Sequence, residues 1–221
     1  MSGKNTLPES LIDDLNLKIF FSKKVSFFRH YQNSFLIKHS NDFDCNIVEI
    51  GSEKQYNHSS FFTKSKSYLN TNIGGDCDKI LDATNIDFAD NSQEAYICLS
   101  VLEHIYEIDK AFKEIKRTLK PGGKLLLVIP FSYPIHDKVD YWRVSKDTYI
   151  RYFGDEFEIK DFCHLGETFS TMIENLSRPK TKWNLRYTIY KMLALVVLLF
   201  GKIFGRMDNF PIGYGLYAVK K

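Results

Sequence analysis

Short apolar runs separated by helix-length gaps fill the middle of the chain. Asp44–Ile50, Ser67–Thr71, Asp78–Asp82 and Glu94–Leu99 read as strands. Lys124–Ile129 is a continuous apolar run of the length expected for a strand buried on both faces. Between them, Ile108, Ala111, Phe112, Ile115 and Leu119 recur on one face of a 3.6-residue period, predicting a helix. Lys120-Pro121-Gly122-Gly123 should stop it. Phe157–Cys163 and Ile212–Val219 are two further strand candidates, the last weakened by Gly213 and Gly215. Before them all, residues 1–40 read as helical and irregular, with Val25, Phe28, Tyr31 and Phe35 as a helical stripe. Alternating strands and helices imply right-handed crossovers. The expected fold is α/β: a Rossmann-like, doubly wound, mostly parallel seven-stranded sheet with helices on both faces. The chain divides into an N-terminal helical segment (1–40), a Rossmann-like core (41–165) and a helical insertion followed by a final strand that completes the sheet (166–221).

Composition narrows the class. With 221 residues, 44% hydrophobic and 26% charged, the chain suits one domain with appendages and excludes disordered and collagen-like proteins. A net charge of +3 is too small to argue for nucleic acid, and none is expected as a partner. The charge is uneven, however. Residues 175–207 hold no acid but contain Arg178, Lys180, Lys182, Arg186, Lys191, Lys202 and Arg206. The same stretch contains the apolar run Met192–Phe200. A helix over 189–204 spans roughly 24 Å, short of the ~30 Å hydrocarbon core. It is expected to lie at the inner membrane face, with a core helix or a homodimer interface as the alternatives. The polar opening Met1–Pro8 and four cysteines without a C-x-x-C pair set the expectation of a reduced, cytoplasmic protein. The six histidines do not cluster with the cysteines, so no metal site is expected.

In a doubly wound sheet, ligands sit beyond the carboxyl ends of the strands. Gly51, after the first core strand, would let backbone pass close to a ligand, with Glu49 and Ser52 beside it. A glycine there is more often only a turn. Asp82 at a strand end can accept a hydrogen bond from an exocyclic amine, and Ser100 and Val101 at the next end can offer backbone groups. Glu103-His104 reads as a polar pair at a helix start rather than a catalytic pair. The single glycine of the first turn argues against a nicotinamide dehydrogenase, which needs a glycine-rich turn for the pyrophosphate.

The order of Asp82-Ala83, then Asp87-Phe88-Ala89-Asp90-Asn91-Ser92, then Val101-Leu102-Glu103-His104, then Leu119-Lys120-Pro121-Gly122-Gly123 resembles the class I S-adenosylmethionine-dependent methyltransferases of type 11. The resemblance covers about residues 46–166 and is specific from Asp82 to Pro130. The loop Pro130–His136 with Asp140-Tyr141-Trp142-Arg143 resembles members from polysaccharide and lipid-glycan pathways. The resemblance implies S-adenosylmethionine as cofactor. Glu49, Gly51 and Ser52 would line its methionine part, Asn72 its ribose, Asp82 and Ala83 its adenine, and Ser100 and Val101 its sulfonium. The chain departs from the family pattern at Glu53 and Gln55, where glycines are usual, and at Asn72, where an acid is usual. The implied acceptor is a small molecule, in particular a sugar hydroxyl or a lipid-linked saccharide. His136 is the expected general base, because its ordinary pKa suits the task. Arg143 would grip an anion, and Tyr141 and Trp142 would stack on a sugar face. The bland reading of this loop is a capping histidine beside packing aromatics. The alternative function is a catalytically lapsed, membrane-surface scaffold.

Overall fold

The apolar run at 124–129 lies in the longest strand of the sheet and is buried throughout, apart from Lys124. A computed structural model describes residues 8–12, 26–177, 185–204 and 210–221. Its strands are β1 (Glu9–Ile12), β2 (Asn46–Ile50), β3 (Ser67–Asn72), β4 (Lys79–Ile80), β5 (Gln93–Leu99), β6 (Leu119–Pro130), β7 (Phe157–Leu165) and β8 (Gly213–Lys220). Its α-helices are α1 (Phe27–His39), α2 (Ile108–Thr118), α3 (Lys146–Phe153), α4 (Thr168–Ser177) and α5 (Leu185–Phe204). The strand order is β1-β7-β8-β6-β5-β2-β3-β4. Among the described strands, only β8 runs antiparallel to its neighbours, β6 and β7.

Alternation along the central strands creates the two faces. Val48, Ile50, Tyr96, Cys98, Leu125 and Leu127 pack with Ile108, Ala111, Phe112 and Ile115 of α2 and with Tyr149 and Phe153 of α3. Their neighbours Ile47, Ala95, Ile97, Leu126 and Val128 pack with Phe27, Phe28, Tyr31 and Phe35 of α1 and with Ala194 and Leu198 of α5. Helices therefore cover both faces. Ser26 caps α1, its hydroxyl accepting from Arg29 N–H at 3.1 Å. Of the expected helical stripe, Phe28, Tyr31 and Phe35 are buried in α1, and Val25 lies outside the described residues.

Among the described residues the sheet has eight strands, not seven. The extra strand is β1, inside a segment read as helical, and it pairs parallel with β7 from Glu9–Phe162 to Ile12–Leu165. Its four residues, Glu9-Ser10-Leu11-Ile12, run polar-polar-apolar-apolar and show no two-residue alternation to be seen before a partner edge is known. The Pro121-Gly122-Gly123 stop is also different in kind. Leu119 pairs with Gln93 and Lys124 with Ala95, so the intervening residues form an irregular bulge within β6 rather than a loop before it. Gly122 there has φ +76°.

The chain winds from β2 outward through β3 to β4, then returns to place β5 and β6 on the other side of β2. Connections leaving β2 and β5 diverge at their adjacent carboxyl ends, which opens a crevice at that switch point.

Candidate functional site

A cavity of about 750 Å³ opens at this crevice. Gly51, Asn72, Asp82, Ala83, Ser100 and Val101, contributed by the ends of or the turns after four different strands, share its wall. Gly51 has φ +79°, and a Cβ placed on it would stand 2.4 Å from Val101 Cγ2. Glycine is therefore required both by the backbone and by the close packing of Val101. Ser100 also takes a left-handed conformation, φ +55°. It is held there by its N–H on Val128 O at 2.9 Å and its Oγ on Gln32 Oε1 at 3.2 Å. Asp82 Oδ1 accepts from both the N–H and the hydroxyl of Thr84 at 2.8 Å, which fixes the carboxylate in an Asx turn. Asn72 Oδ1 accepts from Ile73 N–H at 2.8 Å.

Glu49 and Ser52 do not line the cavity. Glu49 follows Val48 and precedes Ile50, so strand alternation turns it to the opposite face, beneath α1. There it is buried, and accepts from His58 N–H (3.1 Å), His58 Nδ1 (2.6 Å) and Tyr68 OH (2.8 Å). Arg29 Nη1 donates to His58 Nε2 at 3.2 Å. Burial lowers the Arg29 pKa against the pull of Glu49. Burial, then the Glu49 charge, raises that of Tyr68. Ser52 is buried and its Oγ reaches no hydrogen-bond partner.

The two replaced glycines also lie off the cavity. Glu53 extends toward the turn after β3, where a Cβ on Gly75 would stand 2.7 Å from its Oε1. Gln55 Nε2 donates to Glu53 Oε2 at 3.4 Å.

The acceptor-side loop divides in three directions. Tyr141 lines the cavity and meets the Tyr106 ring edge-on at 5.4 Å. Trp142 turns to a neighbouring recess, its Nε1 donating to Ile105 O at 2.9 Å. Arg143 borders a separate recess beside Phe131 and Tyr133, where it clamps Asp140 with two bonds of 2.5 and 2.7 Å and donates to Tyr133 O and Pro134 O. Neither Trp142 nor Arg143 lines the cavity, because local carbonyls and Asp140 already claim their donors.

His136 also stands off the cavity, packed against His104 with ring centroids 4.9 Å apart. Its Nδ1 lies 3.0 Å from Asp140 Oδ2. Burial pushes Asp140 up, but the Arg143 bonds and the His136 amide outweigh it and hold the carboxyl well below the usual range. Burial lowers the pKa of His136 against the Asp140 charge. Glu103 is fully buried, and neither of its oxygens reaches a partner at hydrogen-bonding geometry. Burial pushes its carboxyl up to about 8, its own amide and Arg143 offsetting part and Asp140 adding to it. His104, Ile105, Tyr106 and Val139, which the sequence did not mark as site residues, complete this end of the cavity. For His104, Ile105 and Tyr106 the available signal was their position just beyond β5, next to Ser100 and Val101; Val139 comes from the loop after β6.

The fold is that of the class I S-adenosylmethionine-dependent methyltransferases. A sequence family described as a methyltransferase domain matches residues 64–127, from just before β3 into β6. The demethylmenaquinone methyltransferase of Paenarthrobacter aurescens is 44% identical over 62 residues, covering 28% of this chain and 23% of that protein. The ubiquinone/menaquinone biosynthesis C-methyltransferase of Haemophilus ducreyi is 32% identical over 98 residues, covering 44% and 33%. The alignments thus span about a quarter to a third of these relatives' lengths. Geranyl diphosphate C-methyltransferase from Streptomyces coelicolor A3(2), solved with Mg2+, geranyl diphosphate and S-adenosyl-L-homocysteine, superposes with a TM-score of 0.57 at 12% identity. That superposition covers 95% of this chain and 90% of the other.

Proposed function

We propose that this chain is an S-adenosylmethionine-dependent methyltransferase acting on a small-molecule acceptor. The observation that carries this reading is the gathering of Gly51, Asn72, Asp82, Ala83, Ser100 and Val101 around one cavity. When bound, the cofactor supplies an electrophilic methyl group on a sulfonium. The residues of the chain bind and orient. Gly51 keeps the wall open to the methionine part, Asn72 meets the ribose, and Asp82 accepts from the adenine amine while Ala83 packs beside it. Ser100 and Val101 set the reacting end. Positioning of an acceptor in line with the methyl group supplies most of the rate. Glu49 and Ser52 support the cavity wall from behind in this reading. His136 acts by position in this reading, since it packs against His104, which lines the cavity, and does not line it itself.

The acceptor enters between Tyr106, Val139 and Tyr141. This aromatic and apolar mouth suits the face of a planar or sugar ring. A sugar hydroxyl or lipid-linked saccharide remains our candidate from the loop 130–143. Quinone precursors, the acceptor class in the names of the two curated relatives, form the second arm of the test. Transfer of labelled methyl from S-adenosylmethionine to saccharide hydroxyls or to prenylated quinols is the expected result. Firm cofactor binding without transfer to either class would overturn the acceptor assignment. The lapsed-scaffold alternative loses the support of Glu53 and Gln55, which do not line the cavity, and keeps that of Asn72, which does, and of the basic apolar segment.

Contact with an anionic membrane surface is the finer part of the proposal. Ile189, Met192, Leu193, Val196, Leu199 and Ile203 line the exposed side of α5. Ala194 and Leu198 face the core, and Gly201 lies close under the Phe169 ring of α4. The acid-free basic stretch 175–207 surrounds this stripe in sequence. Among the described residues, no helix is long and apolar enough to cross a membrane.

A further inference from the structure

Glu103 and His136 are thirty-three residues apart in sequence, yet the fold brings Glu103, His104 and His136 to one point. One ligand atom from each lies within 4.8 Å of the others. His104 Nε2 stands 3.7 Å and His136 Nε2 stands 3.8 Å from Glu103 Oε1. Both separations are too long for hydrogen bonds. The tautomers follow from the other ring nitrogens. His104 Nδ1 lies 2.5 Å from Val139 O, a carbonyl that only accepts, so Nδ1 carries the proton. His136 Nδ1 lies 3.0 Å from Asp140 Oδ2, and Arg143 holds that carboxylate ionised, so again Nδ1 carries the proton. Each ring therefore directs its Nε2 toward Glu103. Glu103 is fully buried, with both oxygens unpartnered. Once Glu103 gives up its proton, its carboxylate and the two Nε2 atoms are three converging acceptors, and a cation is the group that satisfies all three.

We propose that Glu103, His104 and His136 form a binding site for one divalent transition-metal ion of the zinc type, with a fourth position left open. Two imidazoles and one carboxylate favour zinc-like ions over magnesium or calcium, which take oxygen ligands. Ligands about 2.0–2.2 Å from zinc stand roughly 3.4 Å from one another in a tetrahedron, so the two gaps to Glu103 Oε1 close with shifts of a few tenths of an ångström. Asp140 on His136 Nδ1 and Val139 O on His104 Nδ1 are the outer partners that fix ligand tautomer and direction. Of the three ligands, His104 lines the cavity and so links the site to it. A three-ligand, open site is the form that metal sites take when an oxygen of a bound molecule completes the shell. The sequence expected no metal, because it searched for cysteine–histidine spacing, while this set joins a turn after β5 to the loop after β6.

Binding does not depend on methyl transfer, and the test reads it directly. The untagged full-length chain, stripped with chelator, is titrated with Zn2+ by calorimetry and with Co2+ by visible absorption. The expected result is one ion per chain, with proton release and a Co2+ spectrum free of thiolate charge-transfer bands. Asp140→Asn should weaken binding by roughly 10–100-fold. Glu103→Gln and His136→Ala should weaken it by more than that, with circular dichroism reporting that each variant is folded. No saturable binding by the parent chain, a thiolate signature from Cys45, Cys77, Cys98 or Cys163, or parent-like binding by folded Glu103→Gln would each overturn the site.

Discussion

Gly51, Asp82 and Glu53 separate, residue by residue, what the cavity needs from what the first turn merely contains. Gly51→Ala would bring Cβ within 2.4 Å of Val101 in a left-handed backbone. The conformation alone costs on the order of 1–2 kcal/mol. Loss of the Asp82 carboxylate removes a charge-assisted hydrogen bond worth about 1.5–3 kcal/mol, so Asp82→Ala should weaken cofactor affinity roughly 10–100-fold. Glu53→Ala should leave it within about threefold, as for a surface change outside the cavity. Calorimetric affinities of the three variants check this ordering, and a strong loss on Glu53→Ala would contradict it. The cavity set was legible because Asp82-Ala83 and Ser100-Val101 fall at predicted strand ends. Glu49 and Ser52 do not line the cavity, although the family resemblance implies them beside Gly51 there. The two-residue period of β2 turns Glu49 away from Ile50.

Elements meet through a second buried carboxylate. Glu174 of α4 accepts from Phe27 N–H at the start of α1, 2.9 Å away. Burial pushes its carboxyl up to about 7, against the Phe27 amide. An unfolded glutamate titrates near ~4.3, so between these values the folded state binds the extra proton. The contribution of this group to stability is fully present below the lower value and is lost as pH rises through about 7. The loss is on the order of 3 kcal/mol. Glu103 acts in the same direction when no cation is bound. Denaturation with chelator present should show the parent chain losing stability from pH 5 to pH 8. Glu174→Gln should lose less, and equal losses would contradict the assignment. At this scale, α2 was legible from its five-residue apolar stripe and β6 from its unbroken apolar run. β1 was not, since its four residues acquire strand character only by pairing with β7. The bulge at Pro121–Gly123 likewise depends on register against β5.

The whole molecule combines a sheet whose switch point carries the cavity with a helix, α5, whose outer side is apolar. Vesicle flotation tests that side. The parent chain should float with anionic vesicles, and Leu193→Glu should reduce flotation without lowering the melting temperature, because Leu193 is half exposed. Flotation unchanged by Leu193→Glu would favour a self-association surface. The doubly wound plan was legible because strand and helix periods alternate along the chain. The cluster of Glu103, His104 and His136 was not, because only the folded sheet brings the two loops together.

The central claim is that the cavity at the ends of β2, β3 and β5 and beyond β4 holds the cofactor despite a first turn with one glycine. Titration of the purified chain with S-adenosyl-L-homocysteine by calorimetry tests it most directly. The account predicts one molecule bound per chain at micromolar strength, lost in Gly51→Ala. No heat of binding up to millimolar ligand would contradict it.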